Sequence, residues 1–363
     1  MKMLQLGVLA DDLTGGMMVA SLLEREGIEC PLVTSVAGLA DIPSSATVVV
    51  IARKIRLIPS AEAQAEAQEA VHALQAIGCL RFYYKYCATF DSTSEGNIGP
   101  VVEAMMSVLG VNQSLCCPAF PEYTVTIFQG RMFLGNTLLG DSFKQFDPVT
   151  PMNNSNLVEV LQSQSTKKVG LISHALIRAG AEAVRQHLEA DNAPELYIAD
   201  AADDDDLVRI ADFALEWPLT SGADALPVFL ARAWLKGGQS GPNHFPKSVL
   251  PASPGKEAFI AGSCASATLT QVAYFEDRYP VFRVDLIAAS KDGQYVEKIV
   301  DWAKDQVESA PIAVSTSATV EQLTFIQSEL GRTGAAKLAD QILGDVSVRL
   351  YQMGVRNFVV AGG

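Results

Sequence analysis

Four short stretches carry side chains that could do chemistry, and each falls where a strand is expected to give way to a helix. The first is Asp11-Asp12-Leu13-Thr14-Gly15-Gly16. Asp12 could orient or deprotonate a hydroxyl, and the two glycines let a ligand approach the backbone closely. Either acid alone could equally cap the following helix, but capping does not explain two acids and two glycines. The second stretch, Lys54-Ile55-Arg56, could clamp a carboxylate, with the arginine binding in bidentate fashion. Ordinary surface charge explains that stretch at least as well. The third and densest runs from Tyr83 to Asn97 and includes Lys85, Asp91, Ser92, Thr93, Gly96 and Asn97. It combines a cation, a carboxylate, hydroxyls and an amide, the donors and acceptors that a polyhydroxy acid requires. The competing reading is a polar loop that supplies a helix cap. The fourth is Gly262-Ser263-Cys264 within Ile260–Thr268, a small-residue turn able to cradle phosphate on backbone N–H groups. It lacks the Gly-Lys-Ser/Thr ending of a Walker A loop. Ser315-Thr316-Ser317 and Gly362-Gly363 end two further strands of the same region. Three such turns make a better nucleotide site than one. Cys264 reads as a small buried residue, because no His stands in a strand-end motif beside it.

These turns need strands and helices to hold them. Apolar runs at Leu4–Ala10, Val48–Ala52, Arg81–Tyr86, Ser114–Cys117, Lys168–Ser173 and Leu196–Ala199 read as strands. Helical patterns at Leu13–Glu26, Ala61–Ile77 and Pro100–Leu109 alternate with them, the first two followed by Gly27 and Gly78 as caps. The alternation predicts an α/β fold of two domains, each with a mainly parallel sheet flanked by helices. The Gly-, Pro- and Ser-rich segment 236–256 reads as a linker between domains at 1–235 and 257–363. The second domain is expected to hold strands Ala258–Ala261, Val281–Val284, Ile312–Ser315 and Asn357–Val360. Helices are expected at Ala267–Arg278, Tyr295–Gln306 and Gly334–Met353. Asp203–Asp206 reads as a solvated helix start, where acids meet the positive end of the dipole. The strand ending in Gly362-Gly363 reads as the opening of a turn that further residues would complete. A longer chain is accordingly expected to bind a nucleotide better than this one.

A length of 363 residues fits two domains, with 49% hydrophobic and 19% charged residues. No apolar run approaches the ~20 residues of a membrane span. The opening Met1–Asp12 reads as a first strand and not as a signal peptide. The net charge of −14 argues against nucleic acid as a partner. Six cysteines with no C-x-x-C pair, and only four His, point to reduced thiols in the cytoplasm and away from zinc.

Together the stretches resemble the four-carbon acid-sugar kinase family. The matching features are Asp11-Asp12-Leu13-Thr14-Gly15, Lys54 with Arg56, and Asp91-Ser92-Thr93 with Gly96-Asn97. Further on come Pro118-Ala119-Phe120-Pro121, Gly262-Ser263-Cys264 and Gly362-Gly363. The wording from Tyr84 to Pro100, with Thr150-Pro151-Met152, is similar to the 3-oxo-tetronate kinase branch. The resemblance spans the whole chain. It implies that the N-terminal domain binds the sugar acid and the C-terminal domain binds ATP, with Mg²⁺, between the two. It also implies transfer of the γ-phosphoryl to the 4-hydroxyl, and it leaves room for a homodimer. Family contacts to the acid map onto Asp11 or Asp12, Arg56, Lys85, Asp91 and Ser92. Contacts to ATP map onto Ser263 and Gly362-Gly363.

Within that frame Asp12, with Asp91 behind it, is the expected proton acceptor, and Arg56 and Lys85 are expected to hold the substrate carboxylate. Thr93 and Asn97 belong to the same loop, and Cys264 and Ser315 to the nucleotide turns. The chain departs from the family pattern at Val125, where an arginine is usual, at Ala265 in place of a serine, and at Asn153-Asn154. These departures keep open a second reading, a sugar-acid-binding protein without turnover. A third, an NAD-dependent hydroxyacid dehydrogenase, is disfavoured because no G-x-G-x-x-G follows strand one.

Overall fold

Leu6–Ala10 and Val48–Ala52 are buried at every position, as befits parallel strands covered on both faces. The computed structural model describes residues 4–147, 149–234 and 254–362. The chain divides into two compact units, residues 1–246 and 247–363.

The first unit begins with β1 (Leu6–Ala10), α1 (Leu13–Arg25), β2 (Leu32–Val33), β3 (Val48–Ala52), α2 (Ser60–Ala76), β4 (Arg81–Lys85), α3 (Ile98–Leu109) and β5 (Ser114–Cys117). A meander follows: β6 (Val125–Phe128), β7 (Arg131–Leu134) and β8 (Thr137–Leu138). The unit continues with α4 (Leu157–Ser163), β9 (Val169–Ile172), α5 (His174–Ala179), α6 (Ala181–Leu188), β10 (Leu196–Ala199), α7 (Asp204–Ala214), β11 (Leu219–Gly222) and α8 (Leu226–Trp234). Eight strands form one parallel sheet in the order β2-β3-β1-β4-β11-β5-β10-β9.

Helices lie close on this sheet. In α2 the buried residues Ala63, Ala67, Ala70, Val71 and Leu74 form one stripe at helical spacing. The small side chains bring the helix down onto β1, where a Cβ on Gly7 would stand 2.9 Å from Leu74 Cδ1. Gly16 does the same for α1, since a Cβ there would lie 2.9 Å from that of Ala52.

The second unit holds β12 (Lys256–Ala261), α9 (Ser266–Glu276), β13 (Val281–Arg283), α10 (Leu286–Ala289), α11 (Tyr295–Gln306), β14 (Ile312–Ser315), α12 (Val320–Leu330), α13 (Arg332–Gln352) and β15 (Val355–Ala361). Its four strands are parallel, in the order β13-β14-β12-β15. Ile299, Ala303, Ile312, Val314, Val346 and Leu350 are among its buried core.

The expectation of two mainly parallel α/β sheets holds. Several features differ from the sequence reading. The antiparallel meander β6-β7-β8 was not foreseen; its two-residue turn, Gln129-Gly130, has positive φ at both positions, as tight hairpins favour. The strand β11 was also missed, because Leu219–Gly222 is short and ends in Ser221 and Gly222. Finally, the acidic run is not wholly solvated. Asp203 caps α7, but Asp206 is fully buried, with Arg178 Nε 2.7 Å from Oδ1 and the Ala202 N–H donating to Oδ2. Most of the expected linker, residues 236–253, lies outside the described residues.

Candidate active site

The register of the first sheet lines up the last residues of its central strands. Ala10 pairs with Ala52 and Lys85, and Gly222 pairs with Lys85 and Cys117. The residues just beyond this row emerge together at the carboxyl edge, where parallel sheets bind ligands. Asp11 and Asp12 follow β1, Arg56 follows β3, Tyr86–Asn97 follow β4, and Asp224 follows β11.

Asp11 is 1% exposed and is gripped by Arg56, whose Nε and Nη2 donate to its two oxygens at 2.7 and 2.8 Å. Arg56 Nη2 also lies 2.6 Å from Asp12 Oδ2. Asp12 Oδ1 meanwhile accepts the Gly15 N–H at 2.5 Å and so caps α1. Of the two roles its sequence suggested, the cap is present at Asp12; that both acids bind Arg56 was not foreseen. Burial pushes the Asp11 carboxyl above its usual range, against the opposing bond and charge of Arg56. Burial works against the Arg56 charge, but Asp11 more than offsets it and holds the guanidinium cationic. Asn97, 3% exposed, fixes this loop: its Nδ2 donates to the Ile55, Arg56 and Ile58 carbonyls at 2.8, 3.3 and 2.8 Å.

Lys85 is 2% exposed. Its Nζ donates to the Tyr86 carbonyl at 2.6 Å and lies 3.3 Å from Asp224 Oδ1. Gly15 makes room for it, since a Cβ there would stand 2.8 Å from Nζ. Burial raises the Asp224 carboxyl above its usual range, with Lys85 pulling the other way.

Asp91 sits in a tight turn. Phe90 before it is fully buried with φ of 55°, the left-handed region that a bulky residue rarely occupies. The turn aims Asp91 at Thr89, whose hydroxyl donates to Oδ1 at 2.6 Å, and at Lys144, whose Nζ donates to Oδ2 at 2.8 Å. Lys144 also reaches Asp147 Oδ2 at 3.2 Å. Cys87 joins this group to the first: its thiol donates to Asp91 Oδ2 at 3.1 Å and feels the charges of Arg56 and Lys85. Ser92 is turned toward Gln164, whose Nε2 donates to Ser92 Oγ at 3.1 Å and to the Thr93 carbonyl at 3.0 Å. Thr93 Oγ1 accepts the Glu95 N–H at 3.3 Å.

Asp11, Asp12, Arg56, Lys85 and Asp91 are thus brought together. Asn97 spends its amide N–H groups on the backbone, and Ser92 and Thr93 brace the loop. Lys144, Asp147 and Asp224 were missed by the sequence reading. Asp224 carried a signal, because Gly222-Ala223-Asp224 between a strand and a helix repeats the pattern of the first stretch. Arg131 does not replace the arginine absent at Val125: its Nη1 donates to the Gln129 carbonyl at the hairpin tip. That tip is fastened to Asp200, beyond β10, through the Gln129 and Gly130 N–H groups, both at 2.8 Å.

In the second unit the Gly262 and Ser263 N–H groups both donate to the Ala361 carbonyl, at 2.9 and 3.0 Å. The turn after β12 and the end of β15 therefore touch, and a Cβ on Gly362 would stand 3.0 Å from Ser263 N. These two N–H groups are used within the turn and do not form the cradle expected of them. Ser263 Oγ accepts the Ala265 N–H at 3.2 Å, and Ser315 Oγ accepts that of Ser317 at 3.1 Å. Cys264 is half-buried. What remains open to an anion is the first turn of α9, whose cap Ala265 offers no side-chain acceptor. Close by, Thr316 Oγ1 is buried without a hydrogen-bond partner, 3.8 Å from where a Gly262 Cβ would be. Gly363 lies outside the described residues. Among the described residues no group of three His, Cys, Asp or Glu is placed to hold a metal ion, and no helix is long and apolar enough to cross a membrane.

A charged pocket at the strand ends of one α/β unit and an anion-ready helix start in another define a two-domain ligand-binding architecture. Residues 6–228 match a family described as Sugar-binding N-terminal domain, and residues 258–363 one described as Nucleotide-binding C-terminal domain. The chain is 37% identical over 362 residues to a 3-oxo-tetronate kinase of Burkholderia multivorans, covering 99% of this chain and 83% of that protein. It is 38% identical over 367 residues to one of Pseudomonas fluorescens, with the same coverage. The crystal structure of Haemophilus influenzae protein HI1011 superimposes with a TM-score of 0.67 at 32% identity, covering 98% of this chain and 86% of that one. A Salmonella typhimurium LT2 structure, provisionally described as a tRNA synthase, gives 0.77 at 31% identity, covering 99% and 86%. The chain belongs to the four-carbon acid-sugar kinase family, alongside the 3-oxo-tetronate kinases. It is a sugar-acid kinase by family.

Proposed function

We propose that this chain transfers the γ-phosphoryl of ATP to the 4-hydroxyl of a four-carbon sugar acid, and that the acid is 3-oxo-tetronate. The observation that carries this reading is the convergence of Asp11, Asp12, Arg56 and Lys85 at one strand edge of the unit that matches a sugar-binding domain. The substrate assignment follows the names of the relatives.

The residues divide the work as follows. Asp11 and Asp12 hold Arg56, whose hydrogen bonds use Nε and Nη2 and so leave the Nη1 edge for the substrate carboxylate. Lys85, level with Ala10 on the adjacent strand, supplies a second positive charge. Asp91 and Lys144 flank the pocket with an acceptor and a donor for hydroxyl groups. In the second unit the α9 N-terminus and Thr316 receive phosphate, and Ser263, Cys264 and Gly362 shape the turn beside them. Mg²⁺ would be carried by the phosphates of ATP, as is usual for this ion, and would neutralise their charge. Six free thiols support a cytoplasmic location.

The test is ADP release by the full chain with ATP, Mg²⁺ and a panel of four-carbon sugar acids. Turnover is expected with 3-oxo-tetronate above the background without acid. Binding of the acid without ADP release would instead establish the non-catalytic reading.

A further inference from the structure

We propose that Asp224 is the catalytic base, the group that takes the proton from the attacking 4-hydroxyl. This rests on the kinase reading above and adds the residue that performs its proton transfer.

The other carboxylates of the pocket are already committed. Both oxygens of Asp11 accept from Arg56. Asp12 spends Oδ1 on the Gly15 N–H and Oδ2 on Arg56. Asp91 accepts from Thr89 at Oδ1 and from Lys144 and Cys87 at Oδ2. Asp224 differs. Its carboxylate meets Lys85 Nζ at a loose 3.3 Å and its own backbone N–H.

Its placement is built into the fold. The strand β11 lies between β4 and β5, so Asp224 and Asp12 flank Lys85 from the two neighbouring strands. Gly222 allows the chain to pass: a Cβ there would stand 2.0 Å from the Cys117 carbonyl oxygen. The buried Tyr83 hydroxyl donates to the Ala223 carbonyl at 2.7 Å and fixes the peptide before the acid. Asp224 itself is 6% exposed, while the side chains of Arg56 and Asp12, at 23% and 22%, give the same cluster its more open side. Burial raises its proton affinity, and the charges facing it are Lys85, which lowers that affinity, and Asp12, which raises it. A base near neutral pH benefits from that tuning.

In the step, the 4-hydroxyl O–H bond breaks and its proton passes to Asp224. The hydroxyl oxygen forms a bond to the γ-phosphorus, and the bond from that phosphorus to the bridging oxygen breaks. Its electron pair leaves on ADP, and Asp224 later returns the proton to water.

The experiment measures kcat and KM with ATP, Mg²⁺ and 3-oxo-tetronate for the full chain and for Asp224→Asn. Turnover should fall about 10²–10⁴-fold with little change in either KM. The acid limb of the kcat–pH profile should vanish from the residual activity. Asp224→Glu, which keeps a carboxylate beside Lys85, should retain part of the turnover and the limb. Should the Asn variant fail to fold, the Glu variant decides: it must keep an acid limb, shifted in pH from that of the parent. An unchanged kcat in Asp224→Asn, or a loss confined to KM for the acid, overturns the proposal and leaves Asp224 as the residue that positions Lys85. A parent chain that releases no ADP overturns the kinase reading itself, and the base with it. Parent turnover with an undiminished Asn variant sinks the base alone.

Discussion

Arg56→Met is the most informative perturbation of the pocket. Methionine preserves much of the buried stem but removes the charge that holds Asp11 and Asp12. Asp11 would be left as a carboxylate 1% exposed with no bidentate partner. Breaking a buried pair in this way costs about 3–5 kcal/mol, and the partial exposure of Arg56, at 23%, places the loss at the lower end. Protonation limits the damage. Without Arg56 nothing opposes the burial that already raises the Asp11 carboxyl from 3.8, except the charge of Lys85. An acid whose folded-state pKa lies above its unfolded value contributes stability below the unfolded pKa. That contribution is lost as pH rises through the folded pKa. The gap between parent and variant should therefore widen with pH, by about 1.4 kcal/mol for each unit by which the Asp11 pKa rises. Urea unfolding followed by far-UV circular dichroism, at pH 5 and pH 8, measures it. About 3 kcal/mol is expected at pH 8, clearly less at pH 5, and partial recovery when Asp11→Asn is added. A gap equal at the two pH values, or below about 0.5 kcal/mol at both, would refute the reasoning, because it would mean the pair behaves as a solvated one.

Asn97→Leu should destabilise the first unit by about 2–3 kcal/mol, since the buried Ile55 carbonyl and the half-buried Ile58 carbonyl lose their donor. It should also raise KM for the acid by loosening Arg56, and unfolding midpoints with steady-state kinetics check both. Thr316→Val removes a buried hydroxyl that has no partner, so thermal stability without ligand should hold or rise while KM for ATP increases; an unchanged KM would remove Thr316 from the nucleotide site. Glu26 accepts two hydrogen bonds from Arg232, at 2.8 and 2.7 Å, which hold its carboxyl below the usual 4.5 against mild desolvation. Its folded pKa is depressed, so its contribution is present above 4.5 and lost as pH falls through the lower value. Arg232 is partly exposed, so Glu26→Gln should cost only about 0.5–1 kcal/mol at pH 7 and progressively less as pH falls below 4.5, read as melting temperatures.

The sequence made the α/β alternation legible because buried parallel strands are nearly all apolar and α2 repeats small residues on one face. It also marked the turns after β1 and β4 as sites, since polar residues at strand ends need a reason. Which partner each side chain would take was not legible. Arg56 looked like surface charge in one dimension, because nothing local says that β1 and β3 are neighbours and that Asp11 ends the adjacent strand. Lys144 stands 53 residues from Asp91 and follows a loop with no periodic pattern. Asp224 depends on β11 inserting between β4 and β5, a long-range choice of strand order. The nucleotide turn shows the opposite limit. Its small residues were visible, yet two of its N–H groups turned out to serve the junction with β15.

The charges of the pocket limit how an anionic substrate can be held. Among the described residues, five carboxylates, Asp11, Asp12, Asp91, Asp147 and Asp224, are paired with three cations, Arg56, Lys85 and Lys144. Each of these cations is therefore already paired before a ligand arrives. Two like charges 4 Å apart at an effective dielectric near 20 repel by about 4 kcal/mol, so a sugar acid cannot simply be added to a pocket with an excess of carboxylates. The arrangement contains two ways around this. Arg56 is held from one side by Asp11 and Asp12, which fixes the direction of its remaining donors instead of cancelling them. And the most buried of these acids, Asp11, has its proton affinity raised by burial. A pocket built this way can admit an anion together with a proton. The carboxylates then serve to aim the cations, and Asp224, on the proposal above, stays unprotonated to meet the reacting hydroxyl.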